Sequence, residues 1–154
     1  GGRAVDDLAV AEAATIATPG RMEILDTAPL VMVDGAHNQP AAQALAAALQ
    51  REFPSTEWTL VFGAMVDKEV DSMLAALAPH VGSLFAVAAD APRAMPVDKL
   101  VELANGRGIG ASGYDSVAAG VQAAVDSAGA NGAVLVTGSL YVAGEARLSL
   151  IDRR

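Results

Sequence analysis

The sequence predicts an α/β domain: a mostly parallel sheet of about six strands with helices on both faces. Three observations carry this. Short apolar runs of four or five residues alternate along the chain with helical patterns of about ten. The strand-like runs are continuous rather than alternating, as expected for strands covered on both sides. Hydrophobic residues make up 53% of 154 but aromatics only 4%, so the apolar mass is alanine, valine and leucine, suited to close packing of helices on a sheet.

The elements follow in order. Residues 5–17 are alanine-rich and weakly amphipathic and predict a helix, stopped by Thr18-Pro19-Gly20-Arg21. Met22 to Leu25 and Leu30 to Val33 predict two strands joined by a turn at Asp26-Thr27-Ala28-Pro29. Ala41 to Phe53 predicts a helix, with Leu45, Leu49 and Phe53 at i, i+4, i+8, and Pro54 ends it. Strand Trp58 to Phe62, helix Val70 to Leu77, strand Leu84 to Val87 and helix Val97 to Ala104 come next. A weak strand near Ile109, a helix from Ser116 to Ala128, a strand Ala133 to Val136 and a short helix Leu140 to Arg147 complete the pattern.

One domain accounts for the length. The high hydrophobic and low charged fraction excludes intrinsic disorder. The net charge of −8 argues against a nucleic-acid partner, whose phosphates would need Lys and Arg. The absence of cysteine excludes a disulfide scaffold, a thiolate metal site and a cysteine nucleophile. No apolar run reaches the ~18 residues of a membrane helix, and the first residues lack a signal-peptide core; a cytoplasmic protein is the expectation.

In open α/β sheets, ligands gather at the carboxyl ends of strands. Three such ends carry polar groups. Val33-Asp34-Gly35-Ala36-His37-Asn38-Gln39-Pro40 runs from a strand into a helix. Asn38 is placed to cap that helix, whose N-terminus offers free N–H groups. Asp34 could accept from a ribose hydroxyl or support a metal ion, and His37 could donate to an anion. Phe62-Gly63 leads to Asp67-Lys68-Glu69, with Asp67 the expected N-cap and Lys68 a cation that an anionic ligand would explain. Thr137-Gly138-Ser139 offers a hydroxyl at a helix start, able to hold a carboxylate or phosphate. Each of these also has a plain structural reading, as a cap or a solvated side chain. Arg21 is a fourth candidate, since its fork pairs with phosphate or carboxylate. His80 reads as a surface residue, Glu145 and Arg147 as structural, and Pro92-Arg93-Ala94-Met95-Pro96 as a rigid connection. There is no phosphate-binding G-x-x-x-x-G-K-[ST], no G-x-G-x-x-G, no G-x-S-x-G and no H-E-x-x-H; with two distant histidines, no metal site is expected.

Taken in order, Pro19-Gly20-Arg21-Met22-Glu23, Asp34-Gly35-Ala36-His37-Asn38, Phe62-Gly63 with Asp67-Lys68-Glu69, Pro92-Arg93-Ala94-Met95-Pro96, and Thr137-Gly138-Ser139-Leu140-Tyr141 with Gly144-Glu145-Ala146-Arg147 resemble the C-terminal domain of the folylpolyglutamate synthase/dihydrofolate synthase family, within the Mur ligase superfamily. Gln39 departs from the family pattern, which usually has proline directly after His-Asn. The resemblance implies a Rossmann-like three-layer sandwich over residues 18–154, with 1–17 the helical end of an interdomain connection. It implies an ATP-dependent ligase that phosphorylates a carboxylate on dihydropteroate or folate and joins the acyl phosphate to L-glutamate.

ATP and Mg²⁺ would be bound mainly by an N-terminal ATPase domain in cis, so this chain alone is expected to be inactive, and the enzyme to be a monomer. By the same resemblance Arg21 and Asp34 would meet ATP, and His37, Ser139 and Lys68 would hold glutamate. A general base is needed for the amine, and Asp34 and His37 are both candidates. The rival readings are a Mur-type amino-acid ligase domain and a stand-alone nucleotide- or phosphate-binding α/β domain.

Overall fold

A computed structural model describes residues 21–152. The helix expected over 5–17 lies outside the described residues. The first two strands, β1 (Glu23–Thr27) and β2 (Leu30–Val33), form an antiparallel hairpin. Its register shifts between Ile24 and Asp26, so Leu25 is a bulged residue. Helix α1 (Gln39–Glu52) follows, then β3 (Trp58–Phe62), α2 (Val70–Leu77) with a 3₁₀ turn at Ala78–His80, and β4 (Val81–Ala86). The chain continues through α3 (Val97–Gly106), β5 (Ala111–Gly113), α4 (Val117–Ala128), β6 (Ala133–Thr137) and α5 (Leu140–Asp152).

The sheet order is β1-β2-β6-β3-β4-β5, parallel throughout except for β1. Helices α1, α2 and α3 cover one face and α4 and α5 the other. Strand alternation sorts the side chains between them. Leu30, Met32, Leu60, Phe62, Leu84 and Leu135 face α1–α3, whereas Val31, Val33, Val61, Val134 and Val136 face α4 and α5. On the valine side the helices approach closely: a Cβ on Gly120 of α4 would run into the Val87 side chain. On the other side Leu45 and Leu49 of α1, and Phe53 just after it, are almost fully buried, each such side chain contributing about 1.5–3 kcal/mol of hydrophobic stabilisation.

Helix starts agree with local chemistry. Asn38 Oδ1 accepts from Ala41 N–H at 2.9 Å, and Ser116 Oγ accepts from Ala119 N–H at 3.0 Å. Asp67 is not the cap of α2: the cap position is Glu69, two residues later, which makes no side-chain cap bond. The weak strand expected near Ile109 begins at Ala111, because Ile109 is instead buried against the α1–α3 layer. Helix α5 runs five residues past Arg147, its extension held by buried Leu150. Among the described residues no helix is long and apolar enough to cross a membrane.

Candidate functional site

The insertion of β6 between β2 and β3 sets the site. The helix after β2 packs on one face and the helix after β6 on the other, so their carboxyl ends border the crevice where α/β sheets take ligands. The three ends are level. Val33 pairs with Val136 and Phe62 with Thr137. Beyond them, Asp34 N–H donates to Val136 O at 2.9 Å and Gly138 N–H donates to Ala36 O at 3.1 Å. Gly138 has φ +115°, and a Cβ there would strike the carbonyl oxygen of Gly63; only glycine fits this crossing.

A cleft of ≈330 Å³ opens over these ends, within the range of small-ligand sites. His37, Lys68 and Ser139, expected from sequence, all line it. The Ser139 hydroxyl oxygen accepts from Val142 N–H at 3.0 Å, so it caps α5. The next two N–H groups of that helix, of Leu140 and Tyr141, have no intrahelical acceptor, and both residues line the cleft. His37 Nδ1 lies 3.1 Å from Gly35 O. A carbonyl only accepts, so Nδ1 donates in this contact and Nε2 is the ring nitrogen it leaves unengaged.

Asp67 and Arg93 also line the cleft, and sequence reasoning assigned neither a site role. Arg93 Nη2 is 3.2 Å from Asp67 Oδ2, and Lys68 Nζ is 3.9 Å from the same oxygen. Asp67 therefore holds two cations rather than capping a helix. The loops that carry these residues are joined by main-chain bonds: Val66 N–H donates to Arg93 O and Met95 N–H to Ala64 O, each at 2.8 Å. The signal that could have found Arg93 was its place after β4, at the same edge of the sheet as the other candidates.

Asp34 and Arg21 do not line the cleft. Asp34 is 9% exposed. Its Oδ1 accepts from Ala36 N–H at 2.8 Å and its Oδ2 from Met22 N–H at 3.0 Å. Burial raises its pKa above the ordinary carboxylate value; the two N–H donors and the nearby Arg21 charge oppose that rise without cancelling it. Of the residues read as structural, Arg147 pairs with Glu23 at 3.2 Å and Glu145 accepts from Asp90 N–H at 2.9 Å. His80 is half-buried, and burial lowers its pKa. Among the described residues no three His, Asp or Glu side chains come together as a metal-ligand set.

A family model described as "Mur ligase, glutamate ligase domain" matches residues 20–140. The chain belongs to the Mur ligase glutamate ligase domain family. This glutamate ligase domain is 35% identical, over 87% of its length, to the dihydrofolate synthase/folylpolyglutamate synthase of Mycobacterium tuberculosis. It is 40% identical, over 84%, to a probable bifunctional folylpolyglutamate synthase/dihydropteroate synthase of Haloferax volcanii. It spans 31% and 15% of those two proteins, respectively. Among solved structures, E. coli FolC in complex with DHPP and ADP matches 92% of the domain at 30% identity and a TM-score of 0.79, and 33% of that chain is covered. M. tuberculosis folylpolyglutamate synthase complexed with ADP matches 89% at 34% identity and a TM-score of 0.79, over 33% of that chain. The three-layer α/β fold read from the sequence is the fold of these domains.

Proposed function

We propose that this glutamate ligase domain is the C-terminal part of a cytoplasmic, monomeric, ATP-dependent ligase that joins L-glutamate to dihydropteroate or a folate. Residues 18–154 form the domain and 1–17 the end of its connection to an ATPase domain in cis. That preceding domain binds most of the ATP and the divalent ion, for which the residues described here offer no ligand set. The observation that carries the reading is the cleft. It combines an imidazole, two cations on one carboxylate and a helix N-terminus, a set matched to an amino acid with one amine and two carboxylates.

In this reading the acceptor carboxylate is first phosphorylated. The glutamate amine attacks the acyl carbon, a C–N bond forms, the C–O bond to phosphate breaks, and phosphate leaves. Lys68, Arg93 and the Leu140 and Tyr141 N–H groups hold the glutamate carboxylates and fix the amine for attack. The amine must first lose a proton, and His37 Nε2 is the free base lining the cleft. Asp34 is less suited to that task, since both of its oxygens already accept main-chain N–H groups. Arg21 reaches the ATP phosphates from the edge of the domain.

The test compares phosphate release by the 154-residue chain and by the full-length polypeptide, each with ATP, L-glutamate and dihydropteroate or folate. The full-length protein is expected to turn over and the isolated chain not. Turnover by the isolated chain, or a full-length protein that uses a UDP-muramyl acceptor and no folate, overturns the reading.

A further inference from the structure

The loop after β4, from Val87 to Pro96, supplies Ala91, Pro92 and Arg93 to one wall of the cleft. Main-chain bonds fasten its two ends to β3 and the loop that follows β3. Val87 N–H donates to Phe62 O at 3.0 Å; at the far end Val66 N–H donates to Arg93 O and Met95 N–H to Ala64 O, each at 2.8 Å. Between these attachments the main-chain bonds are local turns, Ala91 N–H to Ala89 O at 2.8 Å and Ala94 N–H to Ala91 O at 3.2 Å. The Arg93 side chain is 65% exposed, so the course of its loop, more than packing, decides where it stands. A single side chain holds the middle of the loop: Glu145 Oε2 accepts from Asp90 N–H at 2.9 Å, across 55 positions of sequence. Glu145 is half-buried on α5, which is firmly seated by buried Val142, Ala143 and Ala146. It lies four residues after Tyr141 and therefore one turn further along the same side of the helix. Tyr141, with Ser139 and Leu140, forms the opposite wall of the cleft. Neither Asp90 nor Glu145 lines the cleft, so the bond joins the two walls from outside it.

We propose that Glu145 is a positioning residue for the amino-acid substrate: by accepting from Asp90 N–H it fastens the loop after β4 to α5, and so fixes Arg93 opposite the Leu140 and Tyr141 N–H groups at the spacing that two carboxylates of one ligand require. This rests on the glutamate role of the cleft in the reading above. It gives Glu145 no contact with substrate and no proton transfer. What matters is its capacity to accept a hydrogen bond, not its charge.

The test compares Glu145→Ala with Glu145→Gln. Alanine removes the acceptor, whereas the glutamine amide oxygen keeps one at the same reach without the charge. In the full-length enzyme Glu145→Ala is expected to raise the KM for glutamate about fivefold, the net value of one partly exposed hydrogen bond, and to leave the KM for ATP unchanged. Glu145→Gln is expected to restore the KM for glutamate to within about twofold of wild type. Amide hydrogen exchange of Asp90 in the 154-residue chain supplies a readout independent of activity. Protection is expected in the wild type and in Glu145→Gln, and its loss in Glu145→Ala.

An unchanged KM for glutamate in Glu145→Ala, or equal rises in the KM for glutamate and for ATP, overturns the positioning role and leaves Glu145 a general structural residue. A Glu145→Gln enzyme as impaired as Glu145→Ala overturns it too, since the charge and not the acceptor would then matter. An unprotected Asp90 amide in the wild type overturns the tie itself. A wild-type full-length enzyme that ligates no glutamate overturns the functional reading and with it the ligand named here, while the exchange measurement still decides whether Glu145 holds the loop.

Discussion

Replacement of Gly138 by alanine tests how the site is built into the sheet. At φ +115° the residue occupies backbone space that L side chains rarely enter, a strain of about 1–3 kcal/mol. The added methyl would also collide with the Gly63 carbonyl oxygen and sit 3.0 Å from Phe62 Cε2. Neither neighbour is a flexible side-chain end: one is main chain and the other a ring that is 0% exposed. Overpacking of such a core adds about 1–3 kcal/mol. The expected loss is therefore about 4 kcal/mol, or roughly a thousandfold in the unfolding constant, and a fall of about 10 °C in Tm for a domain of this size. Trp58 is the single tryptophan and is fully buried, so its fluorescence in a urea titration reads the transition. Gly144→Ala is the matched control. It lies in α5 with no atom within 4 Å of a new Cβ, and helix propensity predicts a gain of about 1 kcal/mol. A loss below about 1 kcal/mol at Gly138, or an equal loss at both sites, would refute the claim that only glycine fits this crossing.

Further outcomes can be measured on the same protein. Leu135→Ala removes a fully buried side chain from the central strand and is expected to destabilise by about 3–5 kcal/mol in denaturant titrations. In the full-length enzyme, His37→Ala is expected to lower kcat by about 10²–10⁴ and to remove the acidic limb of its pH profile; an unchanged profile excludes it as the base. Arg93→Ala is expected to raise the KM for glutamate at least about tenfold, the value of one charged hydrogen bond, and to leave the KM for ATP unchanged. The acid behaviour of stability carries two opposite contributions. Asp34 has a raised pKa, so the folded state holds its proton longer, and this contribution to stability falls as pH rises from the unfolded value near 3.8 through the folded one. Asp71 has a pKa lowered by its bond to Arg107, so its contribution is present above 3.8 and is lost as pH falls through the folded value. Asp34→Asn and Asp71→Asn are thus expected to change the slope of stability against pH in opposite directions below neutrality.

The fold was legible because each strand and helix carries its own local signal. Trp58 to Phe62 and Val70 to Leu77 have their observed bounds in the sequence, set by continuous apolar runs and by Pro79. The order of strands was not legible, since nothing local tells β6 to insert between β2 and β3; that depends on which faces pack. The site divides the same way. His37, Lys68 and Ser139 were visible because each closely follows a strand end. Asp67 reads as a cap because aspartate before a helix usually is one, but the helix opens only after Glu69 and Asp67 pairs with Arg93 instead. Arg93 lies 26 residues further along the chain (93 − 67) and reaches Asp67 only because β3 and β4 are neighbours. Separation of this kind leaves no trace in spacing. The departure at Gln39 had little structural effect: α1 still opens at Gln39, capped by Asn38.

The main-chain bonds between the loops after β3 and β4 mean that Asp67, Lys68 and Arg93 travel together. Opposite them, His37 and Ser139 stand on turns locked to each other by the Gly138 N–H bond to Ala36. The two sides are also joined to each other, because Gly63 N–H, at the start of the loop after β3, donates to Thr137 O at 3.4 Å, so the sheet itself sets the width of the cleft. A longer or shorter amino acid would meet the same charges at the wrong distance. In the proposed function, selectivity by length would then arise from this fixed width, without any side chain that touches the extra methylene.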